Sequence, residues 1–268
     1  MSPGALPDLG EPWWAPYAGH APQLMAAVAQ GASVSQALSA APSPIALAAG
    51  PLRFVPADAA PAGEAYEAFI ARSACVPSRD NLHDLFNGLA WLSFPQIKRR
   101  LNELQAQEIA RAGIGADRGP LRDALTVFDE NGALFDGPPP LREALLARDW
   151  QALFITHRPL WHEARIVVFG HALLEKLTLS RRKALTAHVL VAPPGAAQAS
   201  ADFDSACAWA ITGPWLAGKP FAPLPVLGIP GWCAENQDFS FYDDSDVFRP
   251  RRPPEERTTR QRPRSRSA

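Results

Sequence analysis

The stretch Asp80-Asn-Leu-His-Asp-Leu-Phe-Asn-Gly-Leu-Ala-Trp-Leu-Ser-Phe-Pro95 decides how this chain is read. Leu82, Leu85, Phe86, Leu89 and Ala90 recur at the i, i+3, i+4, i+7, i+8 spacing of an amphipathic helix. At about 100° per residue, Asp84 and Trp91 fall opposite that stripe, with His83 and Asn87 on the flank. A solvated face seldom carries a tryptophan, so the side bearing Asp84, Asn87 and Trp91 is expected to be packed too. Buried His, Asp and Asn must be hydrogen-bonded, ion-paired or coordinated, and such places are enriched in function. Ser78 or Asp80 is the expected N-cap.

Toward the C-terminus, Ser93-Phe-Pro-Gln96 has the form of a capping box with proline in the first turn, predicting a helix to about Arg111. Ile97, Leu101 and Leu104 form its buried side; Lys98, Arg99, Glu103 and Glu108 are expected in solvent. Asn131-Gly132 between alternating hydrophobics predicts a β-hairpin. Helices follow over Leu141–Arg148, His171–Thr178 and Phe203–Ile211, with strands at Ala164–Phe169 and Leu185–Val191. Toward the N-terminus, the pattern predicts helices over Glu64–Ala74, Ser33–Ala40 and Pro22–Gln30, and a short strand at Leu52–Val55. Residues 1–22, rich in Pro and Trp, are expected to wrap a surface as an extended segment. The sum is an α+β, helix-dominated single globular domain over 23–250, with a few short strands and a disordered Arg/Pro/Ser-rich tail over 251–268.

At 268 residues, 47% hydrophobic and 20% charged, the chain has the composition of an ordinary globular protein. No apolar run reaches the roughly 18 residues of a membrane span. Met1–Glu11 lacks the basic and apolar regions of a signal peptide, so a cytoplasmic location and no membrane partner are expected. Cys75, Cys207 and Cys233 are odd in number and far apart, which suggests neither a disulfide framework nor a cysteine zinc site. The net charge of −1 divides into +6 over residues 249–268 and −7 over the rest. The basic tail could make weak contact with a polyanion, although simple low complexity explains it as well.

Candidate chemistry comes from a few polar residues set in apolar surroundings. His83 and Asn87, four apart on one helix, project to a common side, and Asp84 adds a carboxylate; the bland alternative is capping of neighbouring loops. His171 and Glu175, also four apart, could share a metal or form an ordinary exposed pair. His188 alternates with Ala187 and Val189 on a strand, where a lone His is usually a satisfied half-buried residue. Asp129-Glu130-Asn131 is explained by turn chemistry, yet Asp129 remains a candidate acid. Asp243, Asp244 and Asp246 lack the Gly and final Glu of a calcium loop. There is no HExxH, GxGxxG, GxxxxGK[ST] or GxSxG.

The blocks Asn81-Leu-His-Asp-Leu-Phe-Asn87, Asp123-Ala-Leu-Thr-Val-Phe-Asp-Glu-Asn-Gly132, Phe169-Gly-His-Ala-Leu-Leu-Glu-Lys-Leu177, Thr186-Ala-His188, Gly228-Ile-Pro-Gly-Trp232 and Phe241-Tyr-Asp-Asp-Ser-Asp-Val-Phe-Arg-Pro250 resemble a bacterial family of unknown function, numbered 3025. The resemblance covers roughly residues 60–250. It implies a bacterial, cytoplasmic protein and brings no catalytic residues with it. Relatives often carry Trp where this chain has Leu82, a difference on the apolar stripe that bears on packing rather than chemistry.

The resulting expectation is a metal-dependent hydrolase acting on a small-molecule or peptide substrate. His83, Asp84, Asn87, Asp129 and Glu175 are the catalytic candidates, and His83, His171, Glu175 and His188 the ligands of a divalent metal. One rival is a non-catalytic binding or interaction protein in which the same residues are structural. A second is a nucleic-acid accessory protein using the tail.

Overall fold

The decisive stretch forms a helix, α4 (Leu82–Ser93), that is buried almost all round. Leu85, Phe86, Leu89 and Ala90 pack on one side, and Asp84, Asn87 and Trp91 are buried on the other. Its N-cap is Asn81 rather than Ser78 or Asp80: the Asn81 side chain accepts the Asp84 N–H at 2.8 Å. Asp80 caps elsewhere, accepting the Val34 N–H at 2.8 Å. The computed structural model describes residues 7–42, 45–113, 119–192 and 203–251.

Before α4 come α1 (Ala21–Ala29), α2 (Val34–Ala40), a minimal β1–β2 ribbon (Ala46–Leu47, Gly50–Pro51) and a parallel pair, β3 (Arg53–Pro56) and β4 (Cys75–Ser78), joined through α3 (Tyr66–Ser73). Then come α5 (Pro95–Ala112), α6 (Gly119–Asn131), β5 (Gly132–Asp136), α7 (Pro139–Ala147), β6 (Arg165–Val168), α8 (His171–Leu179) and β7 (Thr186–Val191). The chain continues through α9 (Phe203–Ala210), α10 (Gly213–Ala217) and β8 (Ala222–Pro225). The largest sheet has the order β6-β5-β7-β8; β5 runs parallel to β7 and antiparallel to β6. A hydrophobic core extends from Trp13 to Phe248. The protein is α+β with helix predominating.

Four expectations are corrected. Asn131-Gly132 is not a hairpin turn: Asn131 ends α6 and Gly132 opens β5, whose neighbours are the distant β6 and β7. Gly132 is there for space, since an added Cβ would lie 2.3 Å from the Phe128 carbonyl oxygen. The Pro/Trp-rich segment is not an extended wrap; Pro12–Tyr17 is a 3-10 helix with Trp13, Trp14 and Tyr17 buried. The Tyr17 hydroxyl donates to the Val168 carbonyl at 2.7 Å. The start of α5 has no capping box: among the described residues Ser93 Oγ has no partner, and the Gln96 and Ile97 N–H groups donate to the remote Asp204 carboxylate at 2.6 and 3.0 Å. Lys98 is buried, not solvated. The tail from residue 252 lies outside the described residues, and no helix among them is long and apolar enough to cross a membrane.

Candidate metal centre

Three helices deliver the site. His83 stands on the first turn of α4, Glu130 on the last turn of α6 and His171 at the first position of α8. Two glycines bring the last two together. The Phe169 and Gly170 N–H groups both donate to the Gly132 carbonyl, at 3.0 and 2.8 Å. A Cβ on Gly170 would lie 2.5 Å from the Gly132 nitrogen and 2.6 Å from that of Asn131. Only glycine allows the two backbones to cross this closely, and the crossing places His171 against Asp129 and Glu130.

His83 Nε2 and His171 Nε2 lie 3.1 Å apart, with their rings inclined at 71°. Glu130 Oε2 is 3.6 Å from His171 Nε2, and one ligand atom from each of the three residues lies within 4.8 Å of the others. Nitrogens held about 2.0–2.1 Å from a tetrahedral ion are roughly 3.3 Å apart, so this spacing suits chelation. Each imidazole also turns its other nitrogen to a carboxylate. His83 Nδ1 is 3.0 Å from Glu175 Oε2; His171 Nδ1 is 3.9 Å from Asp129 Oδ2 and has no hydrogen-bond partner among the described residues. Carboxylates behind ligand histidines hold the Nδ1–H tautomer and aim the Nε2 lone pair at the ion.

Burial is the main cause that pushes the His171 pKa down, to about 4; Asp129 opposes it, and Lys98 and His83 add to it. The ring is therefore neutral at pH 7 and able to donate its lone pair. Burial also raises the Glu130 carboxyl, with His83 opposing and Asp129 adding. For Asp129 burial again pushes upward, but Lys98 and His171 outweigh it, and the carboxyl titrates below its ordinary value.

Lys98 is the hub of the adjoining wall. Its ammonium bonds Asp129 Oδ1 at 2.6 Å and Asn87 Oδ1 at 2.8 Å, and stands 5.4 Å from the Trp91 ring. Asn87 Nδ2 in turn donates to the Tyr66 hydroxyl at 2.8 Å, leaving the phenolic hydrogen for another partner. Burial and the charges of Asp129 and Asp84 raise the Tyr66 pKa, so it stays protonated. These groups line a cavity of about 350 Å³. Six buried side-chain N or O atoms lack a hydrogen-bond partner among the described residues. Three of them, Trp91 Nε1, Gln105 Oε1 and His171 Nδ1, belong to side chains lining this cavity.

The expected residues thus separate. His83 and His171 meet, and Asp129 and Asn87 stand beside them. Glu175 contacts His83 from behind rather than joining the three-residue group. Asp84 is turned to Arg79, accepting its backbone N–H at 2.7 Å and its guanidinium at 2.8 Å. His188 does not join: its backbone pairs with Gly132 on the sheet, but its ring packs against Phe221. Alternation along the strand separates His188 from Ala187 and Val189, but which face meets the site is set by how β7 pairs with β5 and β8, which the local sequence does not reveal. Glu130 and Lys98 were missed. Turn chemistry masked the first. The second did carry a signal, since Lys98, Asn102 and Gln105 form an i, i+4, i+7 stripe of their own.

The family model described as Protein of unknown function (DUF3025) matches residues 52–252. No curated protein and no solved structure matches the chain.

Proposed function

The chain belongs to this uncharacterised family, and on its own geometry we propose that it is a metal-dependent hydrolase in which His83, His171 and Glu130 hold one divalent cation. The approach of the two Nε2 atoms beside a carboxylate carries the reading. Two His and one Glu are a ligand set of catalytic zinc sites that keep a position open for water. The ion would supply Lewis-acid activation of that water. Asp129, kept ionised by Lys98, stands behind His171 Nδ1 and would fix that ring's tautomer. Lys98 holds Asp129 and Asn87 in place, and the Tyr66 hydroxyl is free to donate to an oxygen of the substrate. Glu175 acts through His83 by fixing its tautomer, and Asp84 braces the entry to α4. A small-molecule or peptide substrate fits the cavity's size.

Isothermal titration with Zn²⁺ tests the centre. One equivalent is expected to bind the wild type, with affinity falling at least about 100-fold in His83→Ala and in His171→Ala. Glu175→Gln is expected to weaken binding about tenfold, as for other groups that orient a ligand. Unchanged zinc binding in a His83→Ala/His171→Ala double variant would overturn the proposal.

A further inference from the structure

The cavity extends beyond the centre along α5. Lys98, Asn102 and Gln105 are all buried and all line it, and seven residues of helix span about 10 Å. A buried polar stripe is costly unless its groups are used. At the near end Lys98 is fully engaged. Further along, Asn102 Nδ2 donates to the Glu67 carbonyl at 2.9 Å, and Gln105 Nε2 approaches Glu67 Oε1 at 3.4 Å. The reversed amide would set two acceptors face to face, so Gln105 keeps its nitrogen toward Glu67, and its Oε1 has no donor among the described residues.

Charge decides what this far end accepts. Every Arg or Lys lining the cavity is already paired: Arg79 with Asp84 and Lys98 with Asp129. Glu64 is taken by Arg72. Among the described residues, the two lining carboxylates with no Lys or Arg partner are Glu130 and Glu67. Glu130 faces the two histidines; Glu67 stands beside the orphaned Gln105 carbonyl. We infer that Glu67 and Gln105 form a second subsite for a protonated amine, so that the substrate is a cationic molecule whose ammonium group lies farther along α5 than the bond to be cleaved. The position of that bond rests on the proposed metal centre. The subsite itself stands on the charge and hydrogen-bond pattern of α3 and α5. Amides of linear ω-amino acids, and short peptides whose free amine lies a few residues from the bond to be cleaved, have this form.

Two ligands that differ only in the amine provide the test. Hexanohydroxamic acid and 6-aminohexanohydroxamic acid both anchor on a bound zinc ion, and only the second carries the ammonium. The zinc-loaded protein is expected to bind the amino compound about tenfold more tightly, the worth of one hydrogen bond to a charged group. Glu67→Gln is expected to abolish that preference without changing zinc stoichiometry or the affinity for hexanohydroxamic acid. Equal affinities in the wild type, or a preference that survives Glu67→Gln, would overturn the subsite. A second arm needs no metal: n-hexylammonium titrated into the metal-free protein should shift the Gln105 side-chain amide resonance saturably in the wild type and not in Glu67→Gln. No shift in the wild type overturns the subsite. A shift in a protein that binds no zinc upholds the subsite and rejects the metal centre instead.

Discussion

Two buried polar regions of this molecule are built on opposite principles. In the C-terminal cluster, Phe154 stacks between Trp161 and Tyr242, with Phe248 edge-on. The fully buried Asn236 donates to the carbonyls of Leu227 and Ile229 at 2.9 and 2.7 Å and accepts from Arg158 at 3.2 Å. The Tyr242 hydroxyl bonds the Gly228 carbonyl and Arg158. Among the described residues, no buried side-chain N or O atom of this cluster is left without a partner. In the cavity behind α4, by contrast, three buried atoms lack partners and two carboxylates lack a Lys or Arg among the described residues. A buried group that is fully satisfied contributes to stability, whereas one left open costs stability unless something outside the chain completes it. Both regions look alike in the sequence, as polar residues among hydrophobes; only their hydrogen bonding tells them apart.

The comparison breaks most readily at Asn236. Asn236→Ala removes the side-chain donor to the Leu227 carbonyl, one of two donors to the Ile229 carbonyl and one partner of Arg158 inside the core, and is expected to cost about 3 kcal/mol in urea unfolding, with no effect on zinc affinity. A loss below about 1 kcal/mol would mean that the C-terminal cluster is not what it appears from its bonding.

Acid provides the next test. The folded-state pKa of His171, about 4, lies below the unfolded value of about 6.5, so the unfolded chain takes up the proton first. The contribution of this residue is therefore complete above pH 6.5 and is lost as the pH falls from 6.5 toward 4. Metal-free wild type is expected to lose about 2 kcal/mol more than His171→Gln between pH 7 and pH 4.5. Equal losses in the two proteins would show that His171 is not held neutral by burial.

The smallest expected effect is the most informative. His83→Ala, on a half-exposed side chain whose bonds run to His171 and Glu175, is expected to change the stability of the metal-free protein by less than about 0.5 kcal/mol. A loss as large as that of Asn236→Ala would move His83 into the structural class.

Much of the architecture was legible because it rests on local patterns. The period of α4, the helix over Ser33–Ala40 and the strands β6 and β7 all follow from residues within a turn or two of one another. Asn131-Gly132 misled because the same dipeptide suits a tight turn and a close backbone crossing; only the neighbour, Gly170, distinguishes them. Lys98 misled because a lysine on a helix is normally solvated, and its burial depends on Asp129, 31 residues away.

The sequence by itself determined the helices that carry His83 and His171 and the run of α5 past Lys98, Asn102 and Gln105, since helical periodicity depends on the chain's own neighbours; the helix that carries Glu130 was hidden behind a turn signal. The tertiary structure alone decided that His83 and His171 meet while His188 does not. The same long-range packing leaves Glu67 and Glu130 without a Lys or Arg partner among the described residues. Both depend on strand register and on a glycine crossing between segments far apart in the chain, where side-chain pairing is set by three-dimensional packing and no local propensity encodes it.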